Sequence, residues 1–553
     1  MRLSRRGRGR ALDPCIPRAK AGAIVSMVCA IVAGSTLVDV FSPSLAGAAS
    51  QTVANVITTV AGGGTKAPTS GVASTAAALG SPLSAVFDAH GNVVFADQNN
   101  NVISVVAASN GTYYGHAMLA GHTYNVAGDG NPNGGDGPWG SATAPTAVEF
   151  SDPNGVAIDP QGDIAFTDTG NNAVRLLAEA GGSRFGVSLT SGRMYTIAGE
   201  GGSVSNGEQA SSAGLSSPDG LAFDAHGNLV IADTGDDDLR FLPAQSGVFF
   251  GQSMTAGSIY IIAGTGNYGY TGDGAPAVNA ELAMDTFNGV AVDPRGDVVF
   301  SDVDNNVVRV VAASNGTYLG HAIRAGDIYT IAGNGNPNGG FKGNKKPAVK
   351  AELNLPNGVA VDAAGNVFIS DSANNMIRFV AAAKEKYDGT SVKTGDIYTI
   401  AGSGVAGNSG NGGPATAAKL NGPAGVSVGP SGRVLVADNG NDVIRWVTGT
   451  AQAASGVPSA TAVKPASGTT AGGKKVSIVG TGLSGVTGVL FGTRQGTNVV
   501  VKSDKKVVAH SPAAAAGTVL VKIVSPSGVS VAGSYTYVVK AVHVVKAARK
   551  HRR

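Results

Sequence analysis

Four polar side chains stand at one repeated register of this chain: Asn154, Asp219, Asn288 and Asn357, each followed by glycine (Gly155, Gly220, Gly289, Gly358). Amide and carboxylate oxygens gathered from four separate segments suit a hard cation such as calcium, or the hydroxyl network of a sugar. A structural reading fits the same residues, because Asn or Asp before Gly also makes a turn into a strand. Two further copies of the register carry Leu83 and Ala424, so the four residues form an arc and not a full ring.

Other residue types narrow the chemistry. Loops rich in Gly, Asn and Asp, among them Gly128-Asp129-Gly130, Gly135-Asp136-Gly137, Gly272-Asp273-Gly274 and Gly410-Asn411-Gly412-Gly413, also suit calcium, although no EF-hand spacing is present. Calcium is the one cofactor the sequence raises, and the identity of any metal stays open. His90 and His226 occupy the same Asp-Ala-His-Gly-Asn turn, while His116, His122 and His321 fall in a later segment of their copies. Histidines that recur by register read as turn residues and not as zinc ligands converging from different elements. There is no Gly-Lys-Ser/Thr phosphate loop. No residue is assigned a catalytic role. The two cysteines, Cys15 and Cys29, lie in the first 49 residues, so thiol chemistry plays no part in the rest.

The elements that must position these groups follow from a second pattern. An Asp is followed nine positions later by another Asp around a Gly-Asn turn: Asp88/Asp97, Asp159/Asp168, Asp224/Asp233, Asp293/Asp302 and Asp362/Asp371. A sixth copy keeps only Asp438, with Gly429 at the first position. The copies recur at a period near seventy residues, which marks a repeat protein. Within each copy the period is two: Val359-Ala-Val361, Val367-Phe-Ile369 and Met376-Ile-Arg-Phe-Val380 are three β-rich runs separated by Gly/Asn turns. A fourth run follows, as in Tyr124–Gly128, Tyr195–Gly199, Tyr260–Gly264, Tyr329–Gly333 and Tyr398–Gly402. The sixth copy has none after it, but Ile57–Gly62 precedes the first. Six copies therefore balance if the N-terminal strand pairs into the last, which hides two strand edges at once. The expectation is an all-β chain: a six-bladed β-propeller closed by an N-terminal strand.

The blocks Pro356-Asn-Gly-Val-Ala-Val-Asp362, Gly365-Asn-Val-Phe-Ile-Ser-Asp371 and Asn374-Asn-Met-Ile-Arg378 resemble NHL repeats, from about Ile57 to Val447. The resemblance implies the propeller. It leaves function open, because NHL propellers include lyases, extracellular sensor domains and interaction scaffolds. Metal-dependent lyases of this kind place histidines on the central axis, which this chain does not. The repeating Asp and the Arg of Asn-Asn-x-x-Arg (Arg175, Arg309, Arg378, with Arg240 and Arg445 in variants) read as structural, with Ser104 in the first copy.

Flanking pieces complete the chain. Residues 1–49 carry a basic leader, an apolar run from Ala21 to Val38 and Ala46-Gly47-Ala48, the pattern of a signal peptide, with an uncleaved anchor as the alternative. The propeller is assigned to 50–447 and a Ser/Gly/Ala/Thr linker to 448–462. Residues 463–539 contain Gly472-Gly473, Val476-Ser-Ile-Val-Gly480, Val489-Leu-Phe491 and Tyr535-Thr-Tyr537, and resemble an IPT/TIG domain, which implies an immunoglobulin-like β-sandwich acting as spacer or protein-binding unit. A basic tail, 540–553, ends the chain. Residues 1–49 carry +5 and 451–553 carry +13, which leaves −15 between them against the total of +3. Single-sign fields of that size affect partner choice.

Between third and fourth strands, Tyr113, Tyr114, Phe185, Phe249, Phe250, Tyr318 and Tyr387 recur at similar places. If exposed they form a rim of stacking platforms for polysaccharide or protein, and otherwise they pack their own hairpins. The functional expectation is an exported binding or scaffolding protein, secreted or on the extracellular face of the envelope. Its partners would be an extracellular protein or polysaccharide, with anionic envelope polymers at the basic C-terminus and no nucleic acid. The alternative is a propeller lyase or hydrolase acting on carbohydrate or peptide. Convergent His, Arg and Tyr at the channel mouth would favour the enzyme, and a channel lined by Asn and aliphatic residues the binder.

Overall fold

The structure is a computed structural model describing residues 55–448 and 459–539, apart from 68–69, 138–143, 200, 203–205, 285–286, 430–431, 482, 484–485, 487, 493, 504 and 526–527. The stretches read from the sequence as signal segment and basic tail, and most of the one read as linker, lie outside the described residues. No described helix is long and apolar enough to cross a membrane.

Six antiparallel sheets, each built on four strands, make up the first part. In the second blade they are Pro153–Ile158, Ile164–Asp168, Ala173–Leu177 and Met194–Gly199, from the axis outward. The two middle strands are buried along their whole length, as in Val367–Asp371 and Met376–Val380, because each sheet is covered on both faces by its neighbours. That double coverage is why these runs are almost continuously apolar instead of alternating. The six-bladed β-propeller closes as its strand count requires: Val56–Gly62 pairs antiparallel with Val443–Thr448, placing Ile57 opposite Val447 and Gly62 opposite Val443. Ile57 and Ala61 are fully buried there.

The repeated polar residues hold this frame. The first Asp of each pair caps its own turn, as where Asp159 Oδ1 accepts the backbone N–H groups of Gln161 and Asp163, both at 2.8 Å. The second Asp accepts a backbone N–H from the segment entering its own blade in all six blades, seventeen residues earlier in five of them, as from Gly80 to Asp97 (2.7 Å) and from Asn421 to Asp438 (2.7 Å), and nineteen earlier in the fourth, from Ala283 to Asp302 (2.8 Å). Five blades add a buried arginine, as in the Arg175–Asp168 (3.0 Å) and Arg378–Asp371 (2.9 Å) pairs. In the first blade Ser104 hydrogen-bonds Asn125 instead (3.0 Å).

The second residue of the Asn-Asn motif has a role that sequence reasoning assigned only to a turn. Asn101, Asn172, Asp237, Asn306, Asn375 and Asp442 all adopt left-handed backbone, with φ between 47° and 54°. Each side chain accepts a backbone N–H from the segment entering the next blade, for example Ser217 to Asn172 (2.7 Å) and Leu355 to Asn306 (2.8 Å). The sixth staple, Ser81 to Asp442 at 2.9 Å, joins the last blade to the first.

The C-terminal part is a β-sandwich. One sheet orders Ser459–Lys464, Lys475–Thr481, Lys506–His510 and Thr497–Ser503; the other contains Gly528–Val538, Gly517–Ser525 and Gly488–Phe491. Ser459–Lys464 thus draws the end of the stretch read as linker into the sheet. The core buries Val476, Ile478, Phe491, Ile523, Tyr535 and Tyr537.

Candidate functional site

Six inner strands surround a central channel of about 270 Å³. Its wall is aliphatic and phenyl, including Val86, Phe87, Ile158, Phe223, Val292 and Val361. Gly155, Gly220, Gly289, Gly358 and Gly425 lie where each inner strand meets the next. A Cβ on Gly155 would stand 2.3 Å from the Asp219 carbonyl oxygen, and one on Gly425 would stand 2.5 Å from that of Leu83. Gly155, Gly220, Gly358 and Gly425 lie inside the inner strands Pro153–Ile158, Pro218–Phe223, Pro356–Val361 and Pro423–Val428, and none of the five has positive φ. The Asn-Gly and Asp-Gly steps are therefore not turns. Their glycines serve close backbone approach around the axis, and the turn explanation is corrected on that ground. In the first blade Ser84 takes the glycine position, and its hydroxyl accepts the N–H of Val156 (3.3 Å).

The four polar residues do fall on adjacent blades, in or just before the inner strands, and three of them are buried. Asn154, Asp219 and Asn288 are 6 %, 2 % and 1 % exposed. Asn154 Nδ2 donates to Asp219 Oδ1, Asp219 Oδ2 accepts the N–H of Phe287 (2.9 Å), and Asn288 Nδ2 donates to Thr234 Oγ1 (3.3 Å). Asn357 contributes its carbonyl, which accepts from Gly289 N–H (2.9 Å) and from the Ser301 hydroxyl. The arc therefore spends much of its hydrogen-bonding capacity on joining blades.

The glycine-rich loops behave similarly. Asp136 pairs with Arg175 (2.9 Å) and Asp273 with Arg309 (2.8 Å), while Asn411 exchanges hydrogen bonds with Thr59 of the closing strand (both 2.8 Å). Among the described residues, no group of three or more His, Cys, Asp or Glu is placed to hold a metal ion. The reading that no Gly-x-Ser-x-Gly elbow is present is corrected on one point: Gly425-Val426-Ser427-Val428-Gly429 has the letters of one. It lies at the inner strand Pro423–Val428 with no helix after it, so the strained turn that exposes such a serine is missing.

The recurring aromatics are not rim platforms. Tyr114, Phe185, Phe250 and Tyr318 are buried, and Tyr113, Phe249 and Tyr387 half-buried. Tyr114 donates to Asp88 Oδ2 (3.0 Å), Phe250 sets its edge on Phe241 (5.4 Å between centroids), and Tyr387 stacks on Phe379 (4.2 Å). Each hairpin folds its rings inward because this closes the gap to neighbouring strands. Among the described Phe, Tyr and Trp residues, the exposed rings are Tyr268, Tyr270 and Phe341, which sequence reasoning missed. Their signal was present: aromatics inside Gly/Asn loops have little local core to enter. Tyr270 and Phe341 lie against the buried guanidinium groups of Arg309 and Arg378, at 5.3 and 5.1 Å.

One blade departs electrostatically. Asp238 stands where other blades have Val102, Ala173, Val307, Met376 and Val443, and it shares Arg240 with Asp233 and Asp236 (2.8, 3.0 and 3.2 Å). Burial, reinforced by the neighbouring carboxylates and opposed by Arg240, pushes the Asp238 carboxyl up to about 8. A carboxyl raised in the folded state binds its proton more tightly there than in the unfolded chain. The stability it contributes is complete below the ordinary carboxylate range near 4 and is lost as pH rises toward 8. Asp238→Val should therefore raise the melting temperature at pH 8 and flatten its decline between pH 4 and 8. An unchanged pH slope in calorimetry would refute this.

Two family models match: the IPT/TIG domain at residues 458–537 and the NHL repeat at 420–442. No curated protein matches in sequence. Among solved structures, an auxiliary nutrient binding protein from Bacteroides thetaiotaomicron is 11 % identical with a TM-score of 0.45, over 71 % of this chain and 76 % of that one. A second, from Bacteroides ovatus, is 12 % identical with a TM-score of 0.43, over 72 % and 77 %. A streptogramin B lyase is 14 % identical with a TM-score of 0.37, over 72 % and 98 %. At these scores no functional reading rests on them.

Proposed function

We propose that this chain is an exported binding or scaffolding protein whose propeller holds an extracellular protein or polysaccharide. The channel is the observation that carries this reading. A catalytic propeller needs proton-transfer or charge-stabilising groups converging on a substrate-sized space. Here the described channel wall offers aliphatic and phenyl groups, Asn154, Asn288, Ser84 and Ser427, with Asn154 and Asn288 engaged in hydrogen bonds between blades. Export is supported by the basic leader, apolar run and small-residue site in residues 1–49. The +13 charge of residues 451–553 favours anionic polymers of the envelope.

The test is retention of the full chain on an envelope fraction. Attachment through the basic end should weaken steeply as the Debye length falls from about 10 Å at 0.1 M salt to about 3 Å at 1 M. Deletion from Lys546 removes five basic residues and should release protein at moderate salt, whereas a ligand held by the propeller should still co-purify. Attachment indifferent to salt and deletion would sink the electrostatic tether. Failure to retain any envelope component would sink the binding reading itself.

A further inference from the structure

A second cavity, about 520 Å³, runs along the outer strand of the fifth blade beside the closing strand of the sixth. It is separate from the channel. Its size lies within the range of small-molecule sites, roughly 300–1,000 Å³.

The groove opens where one repeated device changes. In five blades a hairpin links third and fourth strands through a two-residue turn whose first residue is left-handed: Tyr114, Phe185, Phe250, Leu319 and Asp388, with φ of 47° to 51°. Tyr114, Phe185, Phe250 and Leu319 are all at most 8 % exposed and join the apolar clusters between successive blades. In the fifth blade the plug is Asp388. Its Oδ2 accepts the backbone N–H of Asn55 (3.3 Å), while its Oδ1 is buried without a hydrogen-bond partner. The hydroxyl of Tyr387, beside it, is likewise buried and unpartnered. Both residues line the groove.

The rest of the lining decides the ligand class. Phe341, 43 % exposed, and Tyr398 provide ring surface, Asn344, Thr390 and Ser403 provide amide and hydroxyl groups, and Lys345 with Asp388 supplies one charge of each sign, so the lining carries no net charge. A saccharide presents apolar C–H faces to such rings and hydroxyls that both donate and accept. Asp388 Oδ1 needs a donor, and Tyr387 can take either role. A peptide adding as a strand would need free backbone groups on the outer strand. Those near the groove are partly taken: Lys346–Pro347 pairs with Ile397 and Asp396, and Asn344 Oδ1 accepts the N–H of Thr399 (3.0 Å).

We infer that this groove binds a neutral oligosaccharide, with Asp388 and Tyr387 accepting or exchanging hydrogen bonds with its hydroxyls and Phe341 stacking on a sugar ring. The inference rests on the binding reading above and gives it a ligand class and a place. The test is calorimetric titration of the full chain with maltotetraose, cellotetraose and mannotetraose.

At least one should bind the wild-type protein. Asp388→Leu installs the plug already found as Leu319 in the same backbone conformation, so it should fold normally and weaken binding at least tenfold. Tyr387→Phe, which removes one hydroxyl, should weaken it several-fold, and Phe341→Ala comparably. Melting temperatures near wild type show that the groove, and not the fold, was altered. A saccharide that binds wild type and Asp388→Leu equally overturns the groove while leaving the binding reading in place. Saccharides that bind neither, alongside capture of an envelope protein, overturn the ligand class and again leave that reading. No retained partner of any kind defeats both.

Discussion

A protein that begins at Thr65 should lose cooperative unfolding and aggregate on warming. The missing strand, Val56–Gly62, is the outer strand of the sixth blade. Its removal uncovers the edge of Val443–Thr448, whose backbone groups would then be free to pair with another chain. It also takes away Ile57 and Ala61, both fully buried, and the backbone hydrogen bonds that Ile57 makes to Gly412 and Gly413 (2.8 and 3.2 Å). Loss of a single buried isoleucine side chain costs about 2–5 kcal/mol. The whole strand should exceed the margin by which a domain is usually stable, about 5–15 kcal/mol. Calorimetry provides the check: the intact protein should give one sharp transition, and the shortened one a broad transition at lower temperature. An unchanged melting curve would remove the argument for closure.

Replacing Arg309 by Ser should destabilise the propeller by about 3–5 kcal/mol, the range for breaking a buried ion pair by removing one partner. Arg309 is fully buried. It binds Asp302 (3.1 Å), Asp273 (2.8 Å) and the carbonyls of Thr271 (2.7 Å) and Glu281 (3.2 Å). Burial already pushes the Asp302 carboxyl up to about 6 against the pull of that guanidinium. Without it the carboxyl should rise further and take up a proton near neutral pH. The first blade supplies a natural comparison. Ser104 and Asn125 occupy the positions of Arg309 and Thr330, and Asp97 remains buried beside Asn100. Arg309→Ser combined with Thr330→Asn should therefore recover part of the loss. Chemical denaturation decides it: a cost below 1 kcal/mol for the single change would mean the arginine is a passenger in its blade.

The strands and their closure were legible in the sequence because both depend on short-range rules. Alternation at period two, Gly/Asn turns and the Asp that caps its own turn are satisfied within a few residues, so Val367–Asp371 and Met376–Val380 can be read one blade at a time. Closure follows because the sixth copy lacks a fourth strand and one stands unpaired before the first copy. What only the tertiary structure decided involves the neighbouring blade. Asn154 and Asp219 are 65 residues apart, and no local pattern reveals that one donates to the other instead of to a ligand. Gly155 looks like a turn glycine until the Asp219 carbonyl occupies the place of its Cβ. The second Asn of each motif looks like more of the turn until its side chain reaches the next blade. The same holds for the rings. Tyr114 and Phe250 are as aromatic as Tyr268 and Phe341, and burial separates them because hairpins lean on an adjacent sheet while the glycine-rich loops do not. Asp388 makes the point most sharply: within its hairpin it is an ordinary turn residue, and only the apolar side chains at the matching turns of four other blades show that a plug is missing there.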